Sequence, residues 1–204
     1  ALGIDLWSRG DAEAAWRPLK VDPSRLPTQL AEDDRRLLAL MLGNEREAAG
    51  LGGSGLEGVQ RIEVRAELQE TLLRALCSAK KLVSETRKPG VMTKPLRFAR
   101  GAPYRFELVV SPVEPDSYRL SGRLYRSDDP AERVPAKKPL LVLSSGLVVF
   151  KNRIARAELA QGFDWLSRLR RQGEVEFPRT ARDQFVVHLC QLPDVPEVNL
   201  PPEM

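Results

Sequence analysis

Histidine is nearly missing from this sequence: His188 is the only one in 204 residues. Cysteine is scarce as well, with Cys77 and Cys190 alone. These shortages work against a metal centre, which needs several clustered nitrogen, sulfur or carboxylate ligands. His188 and Cys190 stand two residues apart in a helix-like segment, roughly 200° around the axis, so an intact helix aims them away from a common ion. A Ser-His-Asp triad has one candidate base and no nucleophile elbow, because no G-x-S-x-G occurs. No G-x-x-x-x-G-K-[ST] occurs either, which excludes a P-loop. No apolar run approaches the roughly 20 residues that span a bilayer, so no membrane partner is expected. The opening ALGIDLWSRGD lacks the basic-then-apolar order of a signal peptide. The two cysteines read as small buried hydrophobes in a reducing cytoplasm.

What is present is the composition of a soluble globular protein, with 42% apolar and 29% charged residues. Asp33–Asp34 and Asp128–Asp129 are adjacent carboxylates whose side chains diverge. They suit a helix start and a turn better than paired acid–base chemistry. Charge is unevenly spread: residues 1–60 carry 7 basic and 10 acidic side chains, and residues 61–204 carry 25 and 18. The second part is therefore the one suited to an anionic partner.

Residues 32–49 are helix formers with an apolar stripe at Leu37, Leu38, Met41 and Leu42. A second amphipathic helix is predicted over about Val64 to Ala79, on the spacing of Val64, Leu68, Leu72, Leu76 and Ala79. After Lys80 the texture turns to strands: KLVSE, PLRFAR, YRFELVV, YRLSGRLYR, LLVLS and LVVFKNRIARAEL. Tyr104, Phe106, Leu108 and Val110 alternate with Arg105 and Glu107. Tyr118, Leu120 and Leu124 alternate with Arg119, Ser121 and Arg123. This is the two-residue period of a sheet with one wet face. Pro115 to Ser117 and Ser145–Gly146 are expected to turn hairpins. A helix over FDWLSRLRRQG with Gly173 as its stop, a short strand VEFP and a helix capped by Thr180 complete the prediction. The proline-rich tail is expected to run extended over the surface. Helices first, a mostly antiparallel meander next and two helices last make an α+β fold. Residues 1–60 are expected to form an N-terminal helical segment with a glycine-rich connector, and 61–204 an α+β domain ending in a linker.

LGGSGLEG, residues 51–58, places Gly53, Gly55 and Gly58 in the G-x-G-x-x-G pattern of a dinucleotide loop. That loop needs a strand before it and an acidic residue about 20 positions on. The preceding residues 30–50 contain no Val, Ile or Thr, and Lys80 and Lys81 occupy the later region. The stretch therefore reads as a helix–helix connector.

The strongest binding signal is basic. From Arg74 to Arg105 come Arg74, Lys80, Lys81, Arg87, Lys88, Lys94, Arg97, Arg100 and Arg105, opposed by Glu85 alone. Phe98 and Tyr104 are interleaved, as suits phosphates with some stacking. From Lys80 onward these cations are the candidate nucleic-acid contacts. The competing readings are a solvated sheet edge and an acidic protein partner. Arg168, Arg170 and Arg171 form a second cluster on one short helix.

KPLRFARGAPYRFELVV, YRLSGRLYR, PLLVLSSGLVVFKNRIARAE, FDWLSRLR, VEFP and LCQLPDVPEVNLPPEM occur in that order. The succession resembles the region upstream of the motor in bacterial Swi/Snf-type helicase-like ATPases, over about residues 62–204 and more loosely the helix at 32–48. The resemblance implies a parent protein that hydrolyses ATP with magnesium, translocates on double-stranded DNA and displaces or remodels bound proteins. It transfers no catalytic residue, since the family's ATP-binding loop and acidic metal motif have no match here. The expectation is a cofactor-free, non-catalytic accessory domain that positions DNA or a protein partner, or restrains its own motor. A protein-interaction or autoinhibitory module without nucleic-acid contact is the alternative, and an independent enzyme the third class.

Overall fold

The computed structural model describes residues 2–8, 17–19, 31–49, 61–84, 94–159 and 161–204. The glycine stretch with Gly53, Ser54, Gly55 and Gly58 lies outside them, as do Arg87 and Lys88. Internal contacts divide the chain into two units, residues 1–98 and 99–204.

In the first unit, β1 (Leu2–Asp5) pairs antiparallel with β4 (Arg61–Val64), in the register Leu2↔Val64 and Ile4↔Ile62. Ile62 and Val64 are buried while Arg61 and Glu63 face water. This is strand alternation, so the second helix begins two residues later than its apolar spacing suggests. Short β2 (Trp7–Ser8) and β3 (Arg17–Pro18) pair with one another. α1 (Glu32–Ala49) opens with Glu32, Asp33 and Asp34 at the positive end of its dipole and buries Leu38 and Met41. α2 (Ala66–Ser78) buries Gln69, Leu72, Leu73, Leu76 and Cys77, one stripe at three- and four-residue spacing. Gln69 is satisfied: its Nε2 donates to the Val64 carbonyl at 3.0 Å. Burial pushes the Cys77 thiol up to about 11, which makes it inert packing. Residues 81–84, expected to be a strand, carry no ladder. β5 (Arg97–Phe98) ends the unit.

The second unit is built on a long hairpin, β6 (Tyr104–Val113) and β7 (Ser117–Arg126), paired from Tyr104↔Arg126 to Val113↔Ser117. Tyr104, Phe106, Leu108 and Val110 share the inner face with Tyr118, Leu120, Gly122 and Leu124, and all eight are buried. Each large apolar side chain so buried contributes about 1.5–3 kcal/mol. The expected alternation holds except at Glu107, which is buried beside Arg123.

β8 (Asp129–Pro135) covers the second half of β7, and β12 (Val175–Pro178) the first half. β9 (Leu141–Leu143) and β10 (Leu147–Val149) form the expected hairpin, with Gly146 at φ +78° in its turn. LVVFKNRIARAEL is not one strand: the chain turns back at Lys151–Asn152, and β11 (Arg153–Glu158) pairs antiparallel with β10. β11 also joins β6 in parallel at Ala157↔Tyr104. α3 (Phe163–Gln172) packs Leu166 and Leu169 onto the sheet and stops at Gly173, φ +85°. α4 (Arg182–Gln191) is entered through a 3-10 turn at Arg179–Ala181. Its N-cap is Ala181 and not Thr180, because that turn advances the start of the helix. The tail does more than run over the surface: β13 (Glu197–Asn199) adds to β6 in parallel, Val198 opposite Leu108. The fold is α+β, with its helices segregated from a mostly antiparallel sheet.

Candidate functional site

The expected basic stretch divides between the two units. Lys80 and Lys81 follow α2. The Lys80 N–H donates to Cys77 O at 3.1 Å and the Lys81 N–H to Leu76 O at 2.9 Å. This six-to-one closure is a Schellman motif, and it places Lys80 at φ 56°, where glycine is usual. Leu96 N–H donates to Leu82 O at 2.8 Å, so the segments bearing Lys80–Lys81 and Lys94–Arg97 meet. Arg100 and Arg105 belong to the second unit.

Availability separates these residues. Lys81 pairs with Asp34 at 3.0 Å and Arg105 with Glu158 at 3.1 Å, and Lys94 is also engaged. Lys80, Arg97 and Arg100 are exposed and have no carboxylate partner among the described residues. Arg74 pairs with Glu70 at 2.6 Å and lies 4.4 Å over the Phe98 ring, so Phe98 is covered by a cation. A shallow depression lined by Glu67, Glu70, Thr71, Arg74, Ala75 and Ser78 involves α2 alone and brings in no group from a second element.

The outer face of the sheet is a ladder of pairs. Arg119 binds Glu176 at 2.7 Å and Glu174 at 3.6 Å, and Arg123 binds Glu107 at 2.5 Å. The Tyr125 hydroxyl donates to Glu197 at 2.5 Å, and that acceptor, helped by burial, lifts the phenol above its ordinary range. Arg119 and Arg123 of the expected wet face are thus matched by Glu176 on β12 and Glu107 on β6.

A second polar cluster closes one end of β6. The Tyr104 hydroxyl donates to Glu132 Oε1 at 2.6 Å and accepts from Arg153 Nη2 at 2.7 Å. Arg153 also pairs directly with Glu132, and Arg126 reaches Glu132 Oε2 at 3.4 Å. Burial and then the Glu132 hydrogen bond push the Tyr104 hydroxyl up. Burial works to raise Glu132, but the hydrogen bonds from Tyr104 and Arg153 outweigh it and hold the carboxyl low. Arg126 grips Asp128 through Nε at 2.9 Å and Nη2 at 2.6 Å, and Ala102 N–H adds 2.9 Å. Arg126 and then Ala102 lower Asp128 to about 2. GAPYRF, part of the stretch that carries the resemblance, is therefore a structural corner held by these pairs, in which Arg153 Nε is buried without a partner among the described residues.

No family model, curated protein or solved structure matches this chain. Function has to be read from the residues. Among the described residues no three of His, Cys, Asp and Glu gather closely enough to hold a metal ion. No helix among them is long and apolar enough to cross a membrane. Cys190 is exposed on α4, against the expectation of a buried thiol, because α4 buries no residue fully. Sequence reasoning missed Lys137 and Lys138, which stand exposed between β8 and β9. The signal was the dibasic step before Pro139-Leu140-Leu141.

Proposed function

We propose that this chain is a non-catalytic accessory domain of a bacterial Swi/Snf-type DNA-translocating ATPase, acting in the cytoplasm to position duplex DNA near the motor. The observation that carries the DNA contact is the exposure of Lys80 and Arg97, on segments of the first unit that meet, without carboxylate partners among the described residues. Lys81 adds to them readily, since an exposed pair such as Lys81–Asp34 contributes no more than about 1 kcal/mol and yields to a phosphate. The link to the ATPase rests on the sequence resemblance over residues 62–204. Contacts of this kind hold the backbone of the duplex and read no bases.

The test is binding of a short labelled duplex across a salt series. Three phosphate contacts give a log–log slope of about −3. Charge reversal of Lys80, Lys81 and Arg97 together is expected to weaken binding at least about tenfold for every sequence alike. Affinity that ignores salt, or survives the triple reversal, counts against the DNA role.

One observation favours a second reading, a protein-interaction or autoinhibitory module. Arg105, Arg119 and Arg123 of the outer sheet face are each held by a glutamate, so that face offers duplex DNA no row of free cations. Deleting the segment from its parent ATPase separates the two. Raised basal ATP turnover favours restraint, and lost DNA stimulation favours DNA positioning.

A further inference from the structure

Strand β9 ends the sheet, and among the described residues no strand covers its outer edge. Proteins usually guard such an edge with charge, proline or a bulge, because its free N–H and C=O groups recruit another chain. This edge instead presents leucine: Leu140 is 45% exposed and Leu141 44%, while Val142 packs against the core.

Cations surround those leucines. Lys137 and Lys138 are exposed in the turn just before β9, where the Lys138 N–H donates to Pro135 O at 2.9 Å. α3 is tied to the same spot, for Arg170 Nε donates to Pro139 O at 2.9 Å and its Nη2 to Leu140 O. The neighbouring Arg171 is exposed, and its Nε donates to Ser167 O of its own helix at 3.2 Å. Lys137, Lys138 and Arg171 have no carboxylate partner among the described residues.

We propose that β9 is a docking edge for an extended acidic segment of a partner protein, which adds a strand beside Leu141–Leu143. Its apolar side chains rest on Leu141, on the face opposite Val142, and its carboxylates face Lys137 and Lys138. The backbone ladder supplies affinity and the flanking charge supplies selectivity. The occupant is acidic because the edge is basic and unpaired. It is foreign because the chain's own acidic, apolar edge strand, β12, has its Glu176 engaged by Arg119, as is Glu174 just before it. It is a protein because leucines give phosphates nothing. This inference stands apart from the DNA contact proposed for Lys80, Lys81 and Arg97.

The experiment titrates the full chain against a labelled nonapeptide alternating Val with Glu, its Val–Lys counterpart and a labelled duplex, read by fluorescence anisotropy. The acidic peptide is expected to bind in the micromolar range and the basic one not at all. Lys137→Glu with Lys138→Glu is expected to weaken peptide binding at least about tenfold. Amide hydrogen exchange on the unaltered chain gives a readout that needs no variant, with amides of residues 141–143 slowing when peptide saturates. The proposal is overturned if the acidic peptide fails to bind, if β9 exchange is unchanged, or if the double reversal leaves affinity intact. It is equally overturned if the duplex displaces the peptide and is itself lost on the double reversal, which makes the edge a phosphate site. Self-association that the peptide blocks hands the edge to a second copy.

Discussion

Gly101 sits at φ +104°, a conformation that side chains rarely adopt, directly beneath the Arg126–Asp128 pair. A Cβ there would overlap the Arg126 guanidinium and lie 2.5 Å from Asp128 Oδ2. Gly101→Ala therefore combines backbone strain with a broken charge-assisted pair, and about 3 kcal/mol of stability is expected to go. Gly173 separates the two causes. It has φ +85° but nothing within 4 Å of an added Cβ, so Gly173→Ala bears strain alone, about 1 kcal/mol. Urea midpoints at constant m-value measure the difference. Acid gives the same variant a second signature. The native Asp128 carboxyl titrates near 2, lowered first by Arg126 and then by the Ala102 N–H, against about 3.9 when unfolded. A depressed carboxylate stabilises above its unfolded value, and that contribution disappears as pH falls through its folded one. The original protein should lose stability between about pH 4 and pH 2, and Gly101→Ala should show a shallower fall because its pair is already broken. An acid limb of the same slope in both would refute the coupling.

Elements whose neighbours sit in their own sequence were legible, and those recruited by a distant edge were not. β6 and β7 are self-sufficient: alternating aromatic and aliphatic residues close on each other through a short turn. α3 announces itself through Leu166, Leu169 and the glycine that ends it. β8, with the sequence DPAERVP, has poor intrinsic strand chemistry and exists because β7 presents a free ladder. β13 is a valine among prolines that completes β6 from far along the chain. Residues 81–84 show the converse, since one β-branched residue, Val83, and a single bond from Leu96 N–H to Leu82 O make no ladder. The stop of α2 falls where its apolar spacing put it, near Ala79, although the left-handed position of its Schellman motif holds lysine instead of glycine. Lys80→Gly relieves that position, and a gain of roughly 0.5–1 kcal/mol in stability is expected from chemical denaturation. The same change removes one proposed phosphate contact, so the salt slope of duplex binding should shrink by about 1. A domain that becomes more stable while binding DNA less steeply assigns Lys80 a contact role that misfolding cannot imitate. An unchanged slope removes Lys80 from the DNA face.

Over the whole chain, charge counted along the sequence exaggerates the cation available. The partners of Arg105, Arg119 and Arg123 lie 53, 57 and 16 residues away, and only strand pairing brings them together. No local reading of a basic run could find them. Hydrophobic burial has the opposite character, because its main cluster is drawn from one continuous stretch. Tyr104, Phe106, Leu108, Leu124, Val148, Ala155, Leu166 and Leu169 belong to it, and among the described residues the apolar side chains packed against it fall between Ala99 and Met204. A core assembled from within that stretch carries its own driving force, and about 100 residues suffice for an independent domain. Residues 99–204 alone are therefore expected to unfold in one cooperative transition, with calorimetric and van't Hoff enthalpies in agreement. At about 0.7 kcal/mol per residue, the enthalpy near 60 °C should come to roughly 70 kcal/mol. Dye binding and loss of near-ultraviolet dichroism with helix retained would mark a molten state. That result would mean that contacts from residues 1–98 are needed to order the core, and that the two units form one cooperative body.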